Sequence, residues 1–175
     1  MLDRAGQEVA PGQQGLVYMR MGTSSFAYHN DEQKTRAARA GDLFTVGDIG
    51  YLDSDGYLFL CDRDSDVIIS GGVNIYPSEI EAELSCHPAV ADAAVFGIPH
   101  DDWGEEIKAV VEPVPGARPG AALTGELLAF LDGRVARFKL PRTIDYLAEL
   151  PRDPNGKLYK RRLRDPYWAG RDRAI

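Results

Sequence analysis

From Val67 to Glu81 the chain changes conformation twice within a short span, and that limits what it can fold into. Val67-Ile68-Ile69 is a β-branched run that reads as a short strand. It stops at Ser70-Gly71-Gly72, where the backbone can take positive φ or lie close against a ligand. Ser78-Glu79-Ile80-Glu81 has the form of a capping box, so a helix is expected to start there, with Ile80 and Leu84 on one face. His87-Pro88 closes that helix.

The flanking segments agree. Ala93-Ala94-Val95-Phe96-Gly97 and Lys108-Ala109-Val110-Val111 read as core strands, and Thr143-Ile144-Asp145-Tyr146-Leu147 as a third. A helix is expected from about Thr124, with Leu127, Leu131 and Val135 spaced four apart. The basic tail from Leu158 to Arg164 reads as helical. Before Val67 the chain is β-rich. Gly12 to Met19 is a turn leading into a short strand, and Asn30 to Ala40 is an exposed helix capped near Asn30 or Asp31. Tyr51-Leu52 and Tyr57 to Leu60 flank the turn Asp53-Ser54-Asp55-Gly56. Helix and strand mix irregularly, so the fold class is α+β rather than a doubly wound sheet. A domain boundary is expected at Asp62-Arg63, where the hairpin ends and the character of the chain changes.

Composition excludes several functions. The chain has 175 residues and a net charge of −7, which disfavours a nucleic-acid binder, since a phosphate backbone needs a basic face. Cys61 and Cys86 form no CxxC pair, consistent with a reduced, cytosolic protein. His29, His87 and His100 have no ligand spacing, and the Asp53 to Gly56 turn lacks the closing Glu of a calcium loop. No run approaches the roughly 20 apolar residues that span a bilayer.

Four segments carry more specific information. They are Phe44-Thr45-Val46-Gly47-Asp48, Asp62-Arg63-Asp64-Ser65-Asp66, Ile69 to Glu81 with its Ser70-Gly71-Gly72-Val73-Asn74-Ile75-Tyr76-Pro77 core, and Leu150-Pro151-Arg152-Asp153-Pro154-Asn155-Gly156-Lys157. In order and spacing they resemble the AMP-forming ligases, the family of acyl-CoA synthetases, luciferases and peptide-synthetase adenylation domains. The resemblance runs from about Gly12 to Leu163. It implies that residues 1–62 are the end of a β-barrel-like N-terminal subdomain and 63–175 a C-terminal lid with a short central sheet flanked by helices.

The resemblance also implies roles. Asp48 holds the ribose hydroxyls of ATP, a task suited to an ionised carboxylate that accepts from two hydroxyls at once. Arg63 contacts the ribose or phosphate side with its planar fork. Ser65 is the hinge, where Asp or Lys is more usual. Ser70, Gly71, Gly72 and Asn74 line the path of the CoA arm. Lys157 is catalytic, bringing an ammonium to the charge that builds on the α-phosphate during adenylation. It lies in a basic cluster with Lys160, Arg161, Arg162 and Arg164, and the Pro151-to-Lys157 frame selects it.

ATP and CoA are therefore the implied substrates, with Mg2+. The phosphate loop, acyl pocket and magnesium site are not found here: Gly22-Thr23-Ser24-Ser25 is too short for a phosphate loop and lacks its lysine. The implied partner is the N-terminal ligase body, on the same or a separate chain. The Ile75-Tyr76-Pro77 wording is closest to fatty- and aryl-acid CoA ligases. The alternatives are a non-catalytic lid module docking on a partner, and the lid of an amino-acid-adenylating enzyme.

Overall fold

A computed structural model describes residues 1–22 and 26–171. The chain divides into two compact units, Met1–Ser65 and Asp66–Ile175.

The first unit has five short strands and one short helix among its described residues. β1 (Gly15–Leu16), β4 (Asp48–Leu52) and β5 (Leu58–Arg63) form an antiparallel sheet in the order β1-β4-β5. β2 (Arg39–Ala40) and β3 (Leu43–Phe44) form a separate two-stranded ladder. α1 (Glu32–Ala37) is capped by Asp31, whose carboxylate accepts the Lys34 N–H at 2.9 Å. It ends before the expected Ala40, because Arg39 and Ala40 turn away to pair with β3.

The second unit holds β6 (Ile68–Ser70), β7 (Val73–Ile75), α2 (Pro77–Ser85), β8 (Val90–His100), β9 (Gly104–Pro113), α3 (Ala121–Leu131), β10 (Thr143–Tyr146) and α4 (Lys160–Arg164). The long hairpin β8–β9 is its spine. The other edge of β9 is shared: Gly104 pairs with Ser70 of β6, and Lys108 to Val111 pair in parallel with β10. Both faces of the spine are buried, as the alternation of its apolar residues requires. Val95, Ala109 and Val111 face Ile80 and Leu84 of α2 and Leu123, Leu127 and Leu131 of α3. Ala94, Phe96 and Val110 face Leu150, with Leu158 and Leu163 packed alongside. The segment carrying Lys157 thus lies across the sheet face opposite α2 and α3. No described helix is long and apolar enough to cross a membrane.

Two helix starts differ from expectation. α2 begins at Pro77, with Tyr76 rather than Ser78 at its cap. A proline is preset for the first helical position, where its missing N–H costs nothing. Glu81, the expected return partner in a capping box, accepts the Val95 N–H at 2.6 Å and pairs with Lys160 at 2.7 Å. α3 begins at Ala121, after Gly120 at φ +144°, while the Thr124 hydroxyl bonds the Tyr146 hydroxyl at 2.9 Å. Val135 lies beyond the helix end yet is buried in the same core.

The β6–β7 hairpin turns on Gly71 and Gly72, at φ +57° and +79°. Two consecutive positive φ values define the tight turn that matches strand twist. Gly72→Val is therefore expected to destabilise the second unit by about 1–3 kcal/mol, the usual cost of forcing a side chain into left-handed backbone. Urea denaturation checks this, and an unchanged midpoint would show that the turn has another conformation available.

Candidate functional site

Asp48 and Arg63 come together across the β4–β5 ladder. They are register partners, with Arg63 Nε 3.4 Å from Asp48 Oδ1. A bulge makes this possible. Leu52↔Leu58, Tyr51↔Phe59 and Gly50↔Leu60 pair regularly, then the register shifts between Ile49 and Gly50. Without the extra residue Asp48 would face Asp62, a like-charge pair; with it, Asp48 faces Arg63. The Asp64 N–H donates to the Gly47 carbonyl at 2.8 Å, extending the pairing. Asp48 keeps 28% of its side chain exposed, so one carboxylate oxygen and the Arg63 fork are presented side by side to a ligand. Ser65 sits in the 3-10 turn Asp64–Asp66 and is the last residue of the first unit. On the same strand, burial pushes the thiol pKa of Cys61 up, with a smaller opposing pull from the Gln14 hydrogen bond.

In the second unit, Ser70 and Gly71 border a cavity of about 480 Å3. Its other walls include Val73, Trp103, Phe138 and Arg142. The Gly71 N–H donates to the Trp103 carbonyl at 2.9 Å, which fixes the turn against the β8–β9 connection. Arg142 lies over the Trp103 ring, 3.8 Å from its centroid, and His100 stacks on it at 5.0 Å. Phe138 is 58% exposed. Gly72 and Asn74 are not among the residues lining this cavity: Gly72 is at the hairpin tip, and Asn74 pairs with Ile69. The sequence reading found the glycine loop and assigned no chemistry to Trp103 or Phe138. The available signal was a bulky aromatic at a glycine turn and another between Arg137 and Lys139.

Lys157 closes a turn that the chain uses three times. In Asp3–Gln7, Asp53–Tyr57 and Asp153–Lys157, the aspartate carboxylate accepts the N–H groups two and four residues on, at 2.8–2.9 Å. In each, the aspartate N–H bonds the carbonyl four residues on, and a glycine at the fourth position takes φ between +77° and +84°. The scaffold is local turn chemistry, and the residue after the glycine decides its use: Gln7, Tyr57 or Lys157. Lys157 is exposed, and its ammonium has no partner among the described residues. Three of its basic neighbours are engaged. Lys160 pairs with Glu81 at 2.7 Å, Arg164 with Asp165 at 3.5 Å, and Arg162 lies over Tyr159.

The second unit therefore offers two separate features, the Lys157 turn and the Gly71 cavity, and Lys157 does not line the latter. Thr23, Ser24 and Ser25, read as too short for a phosphate loop, lie outside the described residues. Among the described residues no three His, Cys, Asp or Glu side chains gather as metal ligands.

Comparison with known proteins places the chain in a family. Residues 79–157 match the AMP-binding enzyme C-terminal domain family. The chain is 38% identical over its whole length to a fatty acid–[acyl-carrier-protein] ligase from Streptomyces coeruleorubidus, covering 33% of that protein. It is 43% identical over 89% of its length to an indoleacetate–CoA ligase from Aromatoleum aromaticum, covering 30% of it. Among solved structures, o-succinylbenzoate-CoA synthetase from Bacillus subtilis, in complex with its acyl-adenylate intermediate, superposes with a TM-score of 0.81 at 37% identity. That match covers 93% of this chain and 32% of the synthetase. The chain thus spans about a third of the length of the relatives it matches. It belongs to the AMP-forming acyl-CoA synthetase family and corresponds to the C-terminal portion of those enzymes.

Proposed function

We propose that this chain supplies the C-terminal lid, residues 63–175, and the last strands of the N-terminal subdomain, residues 1–62, of a cytosolic ligase that joins a fatty or aryl carboxylic acid to coenzyme A. In the first step the carboxylate attacks the α-phosphate of ATP, giving acyl-adenylate and pyrophosphate. In the second the CoA thiolate attacks the acyl carbon and AMP leaves, giving acyl-CoA. The acyl pocket, the triphosphate and the magnesium ion belong to the N-terminal body, joined on the same chain or supplied by another.

The observation that carries this reading is Lys157: an exposed ammonium, without a partner among the described residues, held on a built turn near Lys160, Arg162 and Arg164, which are engaged. A free cation at a fixed point suits a phosphoryl group gaining negative charge. Asp48 and Arg63 take the ribose. Rotation about Ser65 then exchanges the Lys157 turn for the Gly71 hairpin, a task that asks only backbone rotation of the hinge. At that hairpin the bare backbone of Gly71 accepts the thin pantetheine arm. Trp103 and Phe138 offer faces for the adenine, and Arg142 offers charge to the phosphates.

Calorimetry on this chain tests the division of labour. ATP is expected to bind no tighter than about millimolar, roughly −4 kcal/mol, because Asp48 and Arg63 alone do not hold a triphosphate. Micromolar binding would overturn the assignment of the phosphate site to another part of the ligase. In the ligase reconstituted with its body, Trp103→Ala is expected to raise KM for CoA about 5- to 100-fold, the usual worth of one base stacking on one aromatic. Pyrophosphate exchange should not change. An unaltered KM would remove CoA from this cavity. The Streptomyces relative, aligned over the whole chain, is named as a carrier-protein ligase. Acyl transfer to a carrier-bound thiol with none to free CoA would establish that acceptor instead.

A further inference from the structure

The turn bearing Lys157 is tied to the sheet by more than the local bonds it shares with its two counterparts. Asp92 of β8 and Glu112 of β9 are cross-strand partners, two carboxylates directly opposite one another. Like charges in that relation destabilise a sheet unless each is answered. Both are answered by the segment leading to Lys157. Glu112 Oε2 accepts the Leu150 N–H at 2.8 Å, and Asp92 Oδ2 pairs with Arg152 Nη2. Arg152 Nη1 then donates to the Gly156 carbonyl at 3.0 Å, immediately before Lys157. Its guanidinium thereby spans from the sheet to the peptide that carries the lysine.

Asp92 is aimed for this by a break in the strand. Register shifts between Val90 and Asp92, and the other Asp92 oxygen accepts the Ala93 N–H at 2.8 Å. Bulges of this kind re-aim a side chain. The Arg152–Asp92 pair is partly exposed, with 40% of the arginine and 28% of the aspartate side chain accessible. A pair built at a strand irregularity, whose guanidinium also reaches one peptide of the turn, is explained by what it places.

We propose that Asp92 and Arg152 are positioning residues for Lys157, acting through the Gly156 carbonyl. This rests on the reading of Lys157 as the adenylation cation. The two residues touch no reacting atom; they set where the Lys157 backbone sits on the sheet. A misplacement of about 1 Å in a group that must meet a transition state costs up to about 100-fold in rate.

The test uses the ligase reconstituted with its body, carrying Asp92→Asn, Arg152→Lys, Lys157→Ala and the double variant Asp92→Asn/Lys157→Ala. Pyrophosphate exchange reports adenylation, and thioester formation from added acyl-adenylate reports the second step. Asp92→Asn and Arg152→Lys are each expected to slow exchange about 10-fold or more, with the second step and Tm unchanged. Arg152→Lys keeps the charge but loses the fork that reaches both partners. The double variant should be no slower than Lys157→Ala alone, since the two act as one unit. Equal losses in both steps with a lowered Tm would reduce the pair to a structural role and overturn the proposal. Normal exchange in Asp92→Asn beside crippled exchange in Lys157→Ala would overturn it while leaving the function of Lys157 intact. Normal exchange in Lys157→Ala would bring down both.

Discussion

Lys157→Ala is expected to slow adenylation about 10²–10³-fold, the usual loss when one preorganised charge-stabilising donor is removed. Thioester formation from added acyl-adenylate should proceed at its normal rate, because the lysine belongs to the first step only. The folded state should be indifferent to the change. The side chain is exposed and unpartnered among the described residues, and the turn is held by Asp153 and Gly156 rather than by the ammonium. An unchanged Tm therefore accompanies the kinetic loss, which separates this variant from one that damages the unit. Lys157→Arg should recover part of the rate, because the charge remains while the planar fork meets the phosphate differently. Pyrophosphate exchange in the reconstituted ligase measures the effect. A rate within twofold of the parent would remove Lys157 from the chemistry.

The turn that carries Lys157 was legible in the sequence because its frame is local. Asp153, Gly156 and the lysine lie within one turn, and the bonds that shape it are short-range. The strands were legible for a similar reason, since the apolar alternation of Ala93 to Phe96 is a property of consecutive residues. Contacts set by register were not. Asp48 and Arg63 could be named from motifs, but their meeting depends on one extra residue in β5, and nothing local announces a bulge. Trp103 and Phe138 are brought to one cavity by the β8–β9 connection and the loop after α3, so the sequence shows two unrelated aromatics. The start of α2 was legible to within one residue: the Ser78-to-Glu81 spacing points to a helix there, and the structure begins it at Pro77. Proline at the first helical position set the start of α2, and Glu81 was left for the Val95 amide and Lys160.

Leu127→Ala is expected to destabilise the second unit by about 2–5 kcal/mol, the range for emptying a fully buried leucine site. Leu127 has no exposed surface and lies midway along α3, between Leu123 and Leu131, in the core that α2 and α3 form against the spine hairpin. Small domains have only about 5–15 kcal/mol in total, so a loss of this size changes the folded fraction at growth temperature. Leu127→Met, which keeps the volume, should cost under about 1.5 kcal/mol. The functional consequence differs in kind from that of Lys157→Ala. α3 feeds the loop carrying Phe138 and Arg142, and its core supports the strands beneath the Lys157 turn. Adenylation and thioester formation should therefore decline together, in proportion to the unfolded fraction, and both should return on cooling towards the temperature of maximum stability. Urea denaturation followed by circular dichroism gives the stability, and the two half-reactions assayed across temperature give the coupling. A loss confined to one half-reaction, with the denaturation midpoint unmoved, would mean that α3 does not seal this core.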